Sequence, residues 1–174
     1  RCFHIRNDDE GLSWSKPVEI TTAFEAFRST VDWQAMATGP GHAIELQNGR
    51  LVVPFWMSTY EPGVKRGKGV GVVFSDDQGV TWLPGEIALL DAGEPNIAEL
   101  LDGGVLLTAR NGDARSRRIS ATSSNGATDW SSPRFIDELY EPGCMAGIVS
   151  HPGSDSLKGP LLLFSNVQTT ERKH

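Results

Sequence analysis

Short apolar runs, each closed by a polar turn cluster, set the rhythm of this chain. Ala43–Leu46, Arg50–Trp56, Val70–Ser75, Val105–Arg110, Arg118–Thr122 and Pro160–Ser165 are rich in Val, Ile, Leu and Phe. Between them lie Gln47-Asn48-Gly49, Asp76-Asp77-Gln78-Gly79, Leu101-Asp102-Gly103-Gly104 and Ser123-Ser124-Asn125-Gly126. Runs of this length bounded by such clusters predict strands. Asn-Gly and Asp-Gly tolerate the positive φ of tight hairpin turns, so Ala43–Leu46 and Arg50–Pro54 are expected to pair antiparallel. Thr22–Ser29 alone carries a weak helical signal. The pattern predicts an all-β chain of consecutive hairpins.

An eight-residue motif recurs on this background. Ser75-Asp76-Asp77-Gln78-Gly79-Val80-Thr81-Trp82 fits Ser-x-Asp-x-Gly-x-Thr-Trp at every fixed position. Asn7-Asp8-Asp9-Glu10-Gly11-Leu12-Ser13-Trp14 fits it with Asn for the first Ser and Ser for Thr. Ser123-Ser124-Asn125-Gly126-Ala127-Thr128-Asp129-Trp130 keeps the Ser and the Trp, has Asn for Asp, and loses the Gly register. A proline follows each Trp, at Pro17, Pro84 and Pro133. Such an octapeptide is a self-contained turn. The Asp caps backbone amides, the Gly takes positive φ, and the Trp is expected to pack back against its strand.

These repeats resemble the Asp-box (BNR) proteins and, more narrowly, the sialidases. The resemblance implies a six-bladed β-propeller of four-stranded antiparallel blades, of which this chain would hold about three and a half at ~40–50 residues per blade. The blade pieces are expected at residues 1–22, 40–92, 94–139 and 143–174, with an insertion at 23–39. The chain opens on Arg1 rather than Met and is expected to belong to a longer one.

The stretch that separates an enzyme from other Asp-box proteins runs from Glu94 to Arg110. A Glu opens a strand, Glu99-Leu100 follows, then a polar-Gly turn, then an apolar strand ending in Arg110 sixteen residues on. That layout is similar to the sialidase segment carrying the base and a carboxylate-binding arginine. Ala37–Ile44, Asn48–Pro54 and Leu161–Asn166 resemble family segments too, and Arg172 falls where a further arginine is expected. Sialic acid carries a carboxylate on its anomeric carbon, and a guanidinium fork meets a carboxylate bidentately while staying charged. A carboxylate nucleophile would be repelled there, and sialidases use Tyr instead. A phenol near pKa ~10 needs a base.

The resemblance therefore assigns Glu94 as base, with Arg110 and Arg172 as carboxylate binders, and no metal or organic cofactor. It implies that an exo-α-sialidase acts on terminal sialic acid of glycoconjugates with retention. The first arginine and the acid Asp would precede Arg1, and the Tyr would follow His174. Tyr60 and Tyr140 do not fall at the nucleophile's place. These 174 residues alone are thus expected to be inactive. A non-catalytic Asp-box propeller binding glycan or protein, or a propeller glycosidase for another sugar, stay open as alternatives.

Composition narrows the partners. Sixteen Lys+Arg against 22 Asp+Glu give a net charge of −6, which offers no basic footprint for nucleic acid. No apolar run reaches the ~18 residues of a membrane span. The four histidines share no ligand spacing, and Cys2 and Cys144 read as two thiols more readily than as a disulfide framework. Glu99 and the box aspartates read as structural. Trp14, Trp82 and Trp130 are expected in the core, while Trp33 is expected either to pack or to reach over the pocket. Lys65–Lys68 and Arg115–Arg118 read as solvated basic loops. The resemblance favours a secreted or periplasmic location, which the residues themselves do not fix.

Overall fold

A computed structural model describes residues 1–60, 68–153 and 159–172. Its framework is a succession of antiparallel sheets. β1 (Phe3–His4) pairs with β2 (Val18–Glu19), and the Asn7–Trp14 box lies between them. α1 (Thr22–Glu25) and a 3₁₀ turn (Ala26–Ser29) follow, matching the only helical signal in the sequence. A second sheet then forms from β3 (Ala35–Ala37), β4 (Ile44–Glu45), β5 (Leu51–Ser58), β6 (Lys68–Ser75) and β7 (Leu83–Leu90). Its order is β3-β5-β6-β7, and β4 also pairs with β5.

β3 and β4 flank the same strand: Ala37 faces Trp56, and Ile44 faces Val52. They are two halves of one edge strand, interrupted by the Gly39–His42 loop. β3 lies within the stretch the sequence set apart as an insertion, because Ala-Met-Ala is too short to carry a strand signature. The expected pairing of Ala43–Leu46 with Arg50–Pro54 is present in the β4–β5 register.

The third sheet is β8 (Ala92–Glu99), β9 (Val105–Asn111), β10 (Arg117–Ser123) and β11 (Arg134–Tyr140), in the spatial order β11-β10-β9-β8. β12 (Gly147–His151) and β13 (Leu161–Ser165) make a final two-stranded sheet. Strands consecutive in sequence account for every neighbour in the third sheet, so local pairing builds it.

Two apolar clusters bind the sheets. Val52, Val70, Val72, Leu89, Ile97, Val105 and Leu107 fill the space between the second and third sheets and are nearly solvent-free. Each such side chain stabilises by roughly 1.5–3 kcal/mol on burial. On the opposite face of the second sheet, Phe24 and Phe27 pack edge-on or tilted against Phe55, with Trp33, Met57 and Val73 around them. Trp33 is 8% exposed, and its indole N–H donates to the Phe24 carbonyl at 3.3 Å. It is a packing residue and does not reach over a pocket.

The boxes form the predicted caps. In the second, the Asp77 carboxylate accepts from the Thr81 amide at 2.8 Å and from its hydroxyl at 2.6 Å, while Ser75 Oγ accepts from the Gly79 amide at 2.8 Å. Gln78 and Gly79 take φ of 59° and 83°. In the first box, Asp9 caps Ser13 and Asn7 Oδ1 takes the Gly11 amide. The third box keeps the turn despite its shifted Gly: Ser123 Oγ accepts from the Gly126 amide, and Asn125 Oδ1 from those of Ala127 and Thr128.

Trp82 and Trp130 are half-buried, but Trp14 is 60% exposed, against the expectation that all three lie in the core. Trp14 lies in the connection between the two strands of the first sheet and joins neither apolar cluster of the described residues. Successive boxes are also stapled. Arg50 grips Asp76 bidentately at 2.7 and 2.9 Å and donates to the Asn125 carbonyl at 3.0 Å.

Candidate functional site

Glu94 sits where strand β8 breaks register. Gly93 pairs with Arg110, but the next aligned pair is Asn96 with Thr108, so Glu94-Pro95 bulges out of the ladder. Pro95 has no N–H to give a neighbouring strand, which makes the bulge compatible with the sequence. Glu94 takes φ of 47°, a left-handed conformation that few side chains adopt and that clusters at functional positions. The bulge turns its carboxylate toward Arg110 at the end of β9.

The two side chains form a close ion pair. Arg110 Nε lies 2.6 Å from Glu94 Oε2, and Nη2 donates to Oε1 at 3.0 Å. The Nε approach is poorly directed as a hydrogen bond, which leaves that donor without a well-aligned acceptor. Both side chains are about a quarter exposed, at 29% for Arg110 and 26% for Glu94. The pair therefore opens on solvent without being fully hydrated.

Arg172 comes to the same place. A cavity of about 280 Å³ is lined by Pro40, Glu94, Arg110, Gly143, Cys144, Met145 and Arg172. All three residues singled out from the sequence thus line one concavity. Arg172 is exposed and makes no ion pair among the described residues. Two guanidinium groups beside a carboxylate, in a partly desolvated cleft, can bind a second carboxylate bidentately.

The walls of the cavity are held by residues the sequence did not single out. On one side, Trp56 Nε1 donates to the Gly39 carbonyl at 2.9 Å, and His42 Nε2 lies 3.0 Å from the Ile148 carbonyl. These contacts fix both ends of the loop carrying Pro40. On the other side, Asn96 Nδ2 donates to the Ala146 carbonyl at 2.7 Å, and Glu141 accepts from the Asn111 and Gly143 amides at 3.1 and 2.9 Å. Glu141 is 2% exposed. Only its place in a Glu-Pro-Gly turn could have hinted at this, and turn residues rarely announce a buried role.

Several other expectations meet their structural outcome here. Glu99 is structural, its carboxylate accepting from the Gln47 amide at 3.0 Å across the sheets. Cys2 and Cys144 are both free thiols, and Cys144 lines the cavity. Arg115 and Arg117 lie over the Phe135 and Tyr140 rings at the surface. Arg118, however, is fully buried and not solvated as expected. A register shift between Arg117 and Arg118 turns the second arginine inward. Residues 65–67 of the other basic cluster lie outside the described residues. Tyr60 is exposed, and neither it nor Tyr140 lines the cavity. Among the described residues no group of His, Cys, Asp and Glu is arranged to hold a metal ion, and no helix is long and apolar enough to cross a membrane.

Successive antiparallel sheets packed face to face, three of them carrying a capped Asp or Asn turn, define blades of a β-propeller. The chain belongs to the BNR repeat-like domain family, whose pattern matches residues 1–174. It is 30% identical over 172 residues to a sialidase of Bacteroides fragilis, covering 97% of this chain and 30% of that protein. It is 33% identical over 169 residues to human sialidase-4, covering 87% of this chain and 34% of the relative. The chain thus spans about a third of the length of these curated relatives. Among solved structures, a Hadza microbial sialidase, Hz136, superposes with a TM-score of 0.81 at 30% identity, over 97% of this chain and 32% of that one. A Trypanosoma rangeli sialidase in complex with the inhibitor DANA shares the fold, with a TM-score of 0.66 at 20% identity, over 93% of this chain and 27% of that one.

Proposed function

We propose that this chain forms part of an exo-α-sialidase that removes terminal sialic acid from glycoconjugates with retention. Arg110 and Arg172 bind the sugar carboxylate, and Glu94 is the base for a tyrosine nucleophile that lies outside these 174 residues. The observation that carries the reading is the convergence of Glu94, Arg110 and Arg172 on one cavity, with Glu94 held there in a left-handed bulge.

The chemistry follows from the charges. A substrate carboxylate entering between the two arginines competes for the guanidinium that Glu94 holds in this structure. Its arrival frees the Glu94 carboxylate to take a proton from a tyrosine hydroxyl, which near pKa ~10 is a weak nucleophile without a base. The phenolate then attacks the anomeric carbon without the repulsion a carboxylate nucleophile would meet beside the substrate's own anion. A separate acid outside the chain protonates the departing oxygen.

The test is made in the native protein with an α-sialoside substrate. Glu94→Gln lowers kcat by about 10²–10⁴-fold with little change in KM, as loss of a general base does. Arg110→Leu raises KM by roughly 10–100-fold, the loss of a charged hydrogen-bonded contact. Wild-type kcat/KM in both variants would refute the assignment. Equal turnover of a neutral glycoside would point to another glycosidase.

A further inference from the structure

Three arginines crowd the basic run Arg115–Arg118, and only the last is buried. Arg118 is 0% exposed near the start of the inner strand β10, an expensive place for a guanidinium. Its Nη1 donates to the Cys144 carbonyl at 3.0 Å, while Nε and Nη2 have no hydrogen-bond partner among the described residues. It stands one step beyond the Ile119–Ala109 pair, which places it beside Arg110 on the neighbouring strand. Burial pulls its pKa down to about 10, with the nearby Arg110 adding to the fall and Glu141 and Glu94 opposing it. A methionine or leucine would fill this space without desolvating a charge.

What the charge touches gives it a use. Cys144 is the middle of the Gly143–Met145 wall of the cavity, and Arg118 holds its carbonyl from behind. Glu141, buried like Arg118, holds the amides of Asn111, next to Arg110, and of Gly143. Two buried side chains of opposite charge, Glu141 at the strand end that presents Arg110 and Arg118 at the wall that faces it, therefore fix the two sides of the site. The cation also adds positive potential behind Arg110, in a place where solvent screens it weakly.

We propose that Arg118 is a positioning residue of the site, which sets the Gly143–Met145 wall and strengthens the preference of Arg110 for an anionic ligand. This rests on the reading of the cavity as a carboxylate site. Arg118 does not touch the ligand, and its effect passes through the wall and through the field at Arg110.

The readout is the ratio of affinities for N-acetylneuraminic acid and for its methyl ester, measured calorimetrically on the native protein. A purely structural defect lowers both affinities and leaves the ratio alone. Arg118→Met is expected to lower the acid-over-ester ratio about tenfold, the loss of one charge acting across a partly buried site. Arg118→Lys is expected to restore most of it. Arg118→Gln keeps a donor for Cys144 without the charge, and it serves where the Met variant fails to fold. It too is expected to lose the ratio. An unchanged ratio in the uncharged variants overturns the proposal, as does a Lys variant no better than Met. Arg110→Leu separates the two levels. If it leaves the ratio intact, the carboxylate site itself is wrong, and if it abolishes the ratio while Arg118 variants do not, only the role of Arg118 fails.

Discussion

Replacing Gly41 with alanine tests whether the cavity depends on the close approach of two backbone segments. A Cβ at Gly41 falls 2.1 Å from the Pro95 carbonyl oxygen and 3.2 Å from its carbon. That is about 1 Å inside the closest distance carbon and oxygen tolerate. The obstacle is backbone, so no rotamer change relieves it. The Gly39–His42 loop is tied at Trp56 and at Ile148, and Asn96, the residue after Pro95, is tied to Ala146. The clash must therefore move Pro40 or Glu94, both of which line the cavity. Overpacking of this kind costs about 1–3 kcal/mol of stability. A shift of about 1 Å at reacting groups costs on the order of 10²-fold in rate. Turnover of a fluorogenic α-sialoside by the native protein, with thermal unfolding alongside, measures both. Gly93→Ala is the control, because a Cβ there meets nothing within 4 Å although Glu94 is the next residue. Wild-type kcat/KM and stability in Gly41→Ala would refute the reasoning.

Two further predictions concern the boxes. Gly126 holds φ of 70°, and a Cβ there meets Val105 Cγ2 at 2.9 Å in the core between sheets. Gly126→Ala is expected to destabilise by about 2–4 kcal/mol, from the left-handed backbone and overpacking together, measured by urea unfolding; a loss under 0.5 kcal/mol would contradict it. The Thr81 hydroxyl, with the Thr81 amide and Ser75 hydroxyl, holds the Asp77 carboxyl down at about 2. A depressed pKa stabilises the fold above the ordinary carboxylate range, and that contribution is lost as pH falls from about 4 through 2. An NMR titration of Asp77 checks the midpoint, and Asp77→Asn is expected to remove this part of the acid sensitivity.

How much was legible in the sequence depended on how local each contact is. The boxes could be read because Asp9 caps Ser13 and Asp77 caps Thr81 within four residues. The hairpins could be read because their turns lie between sequential strands. Glu94 and Arg110 were legible through their spacing in a resembling segment, but not the bulge that lets them meet, which only the β8–β9 register reveals. The Gly143–Met145 wall was illegible because Arg118 holds it, and Asn96 holds the next residue, Ala146, from other strands. Arg118 itself was misread because the register break between Arg117 and Arg118 decides which arginine of a basic run faces water and which the core. Trp14 was misread for the opposite reason, since its box is intact but its sheet has only two strands.

The central claim is that Arg110 and Arg172 grip a carboxylate beside Glu94. A crystal structure of the native protein with a sialic acid analogue tests it most directly. The account predicts the ligand carboxylate within about 3 Å of both guanidinium groups, with Glu94 turned from Arg110 toward a tyrosine hydroxyl. A ligand whose carboxylate lies away from both arginines would contradict it.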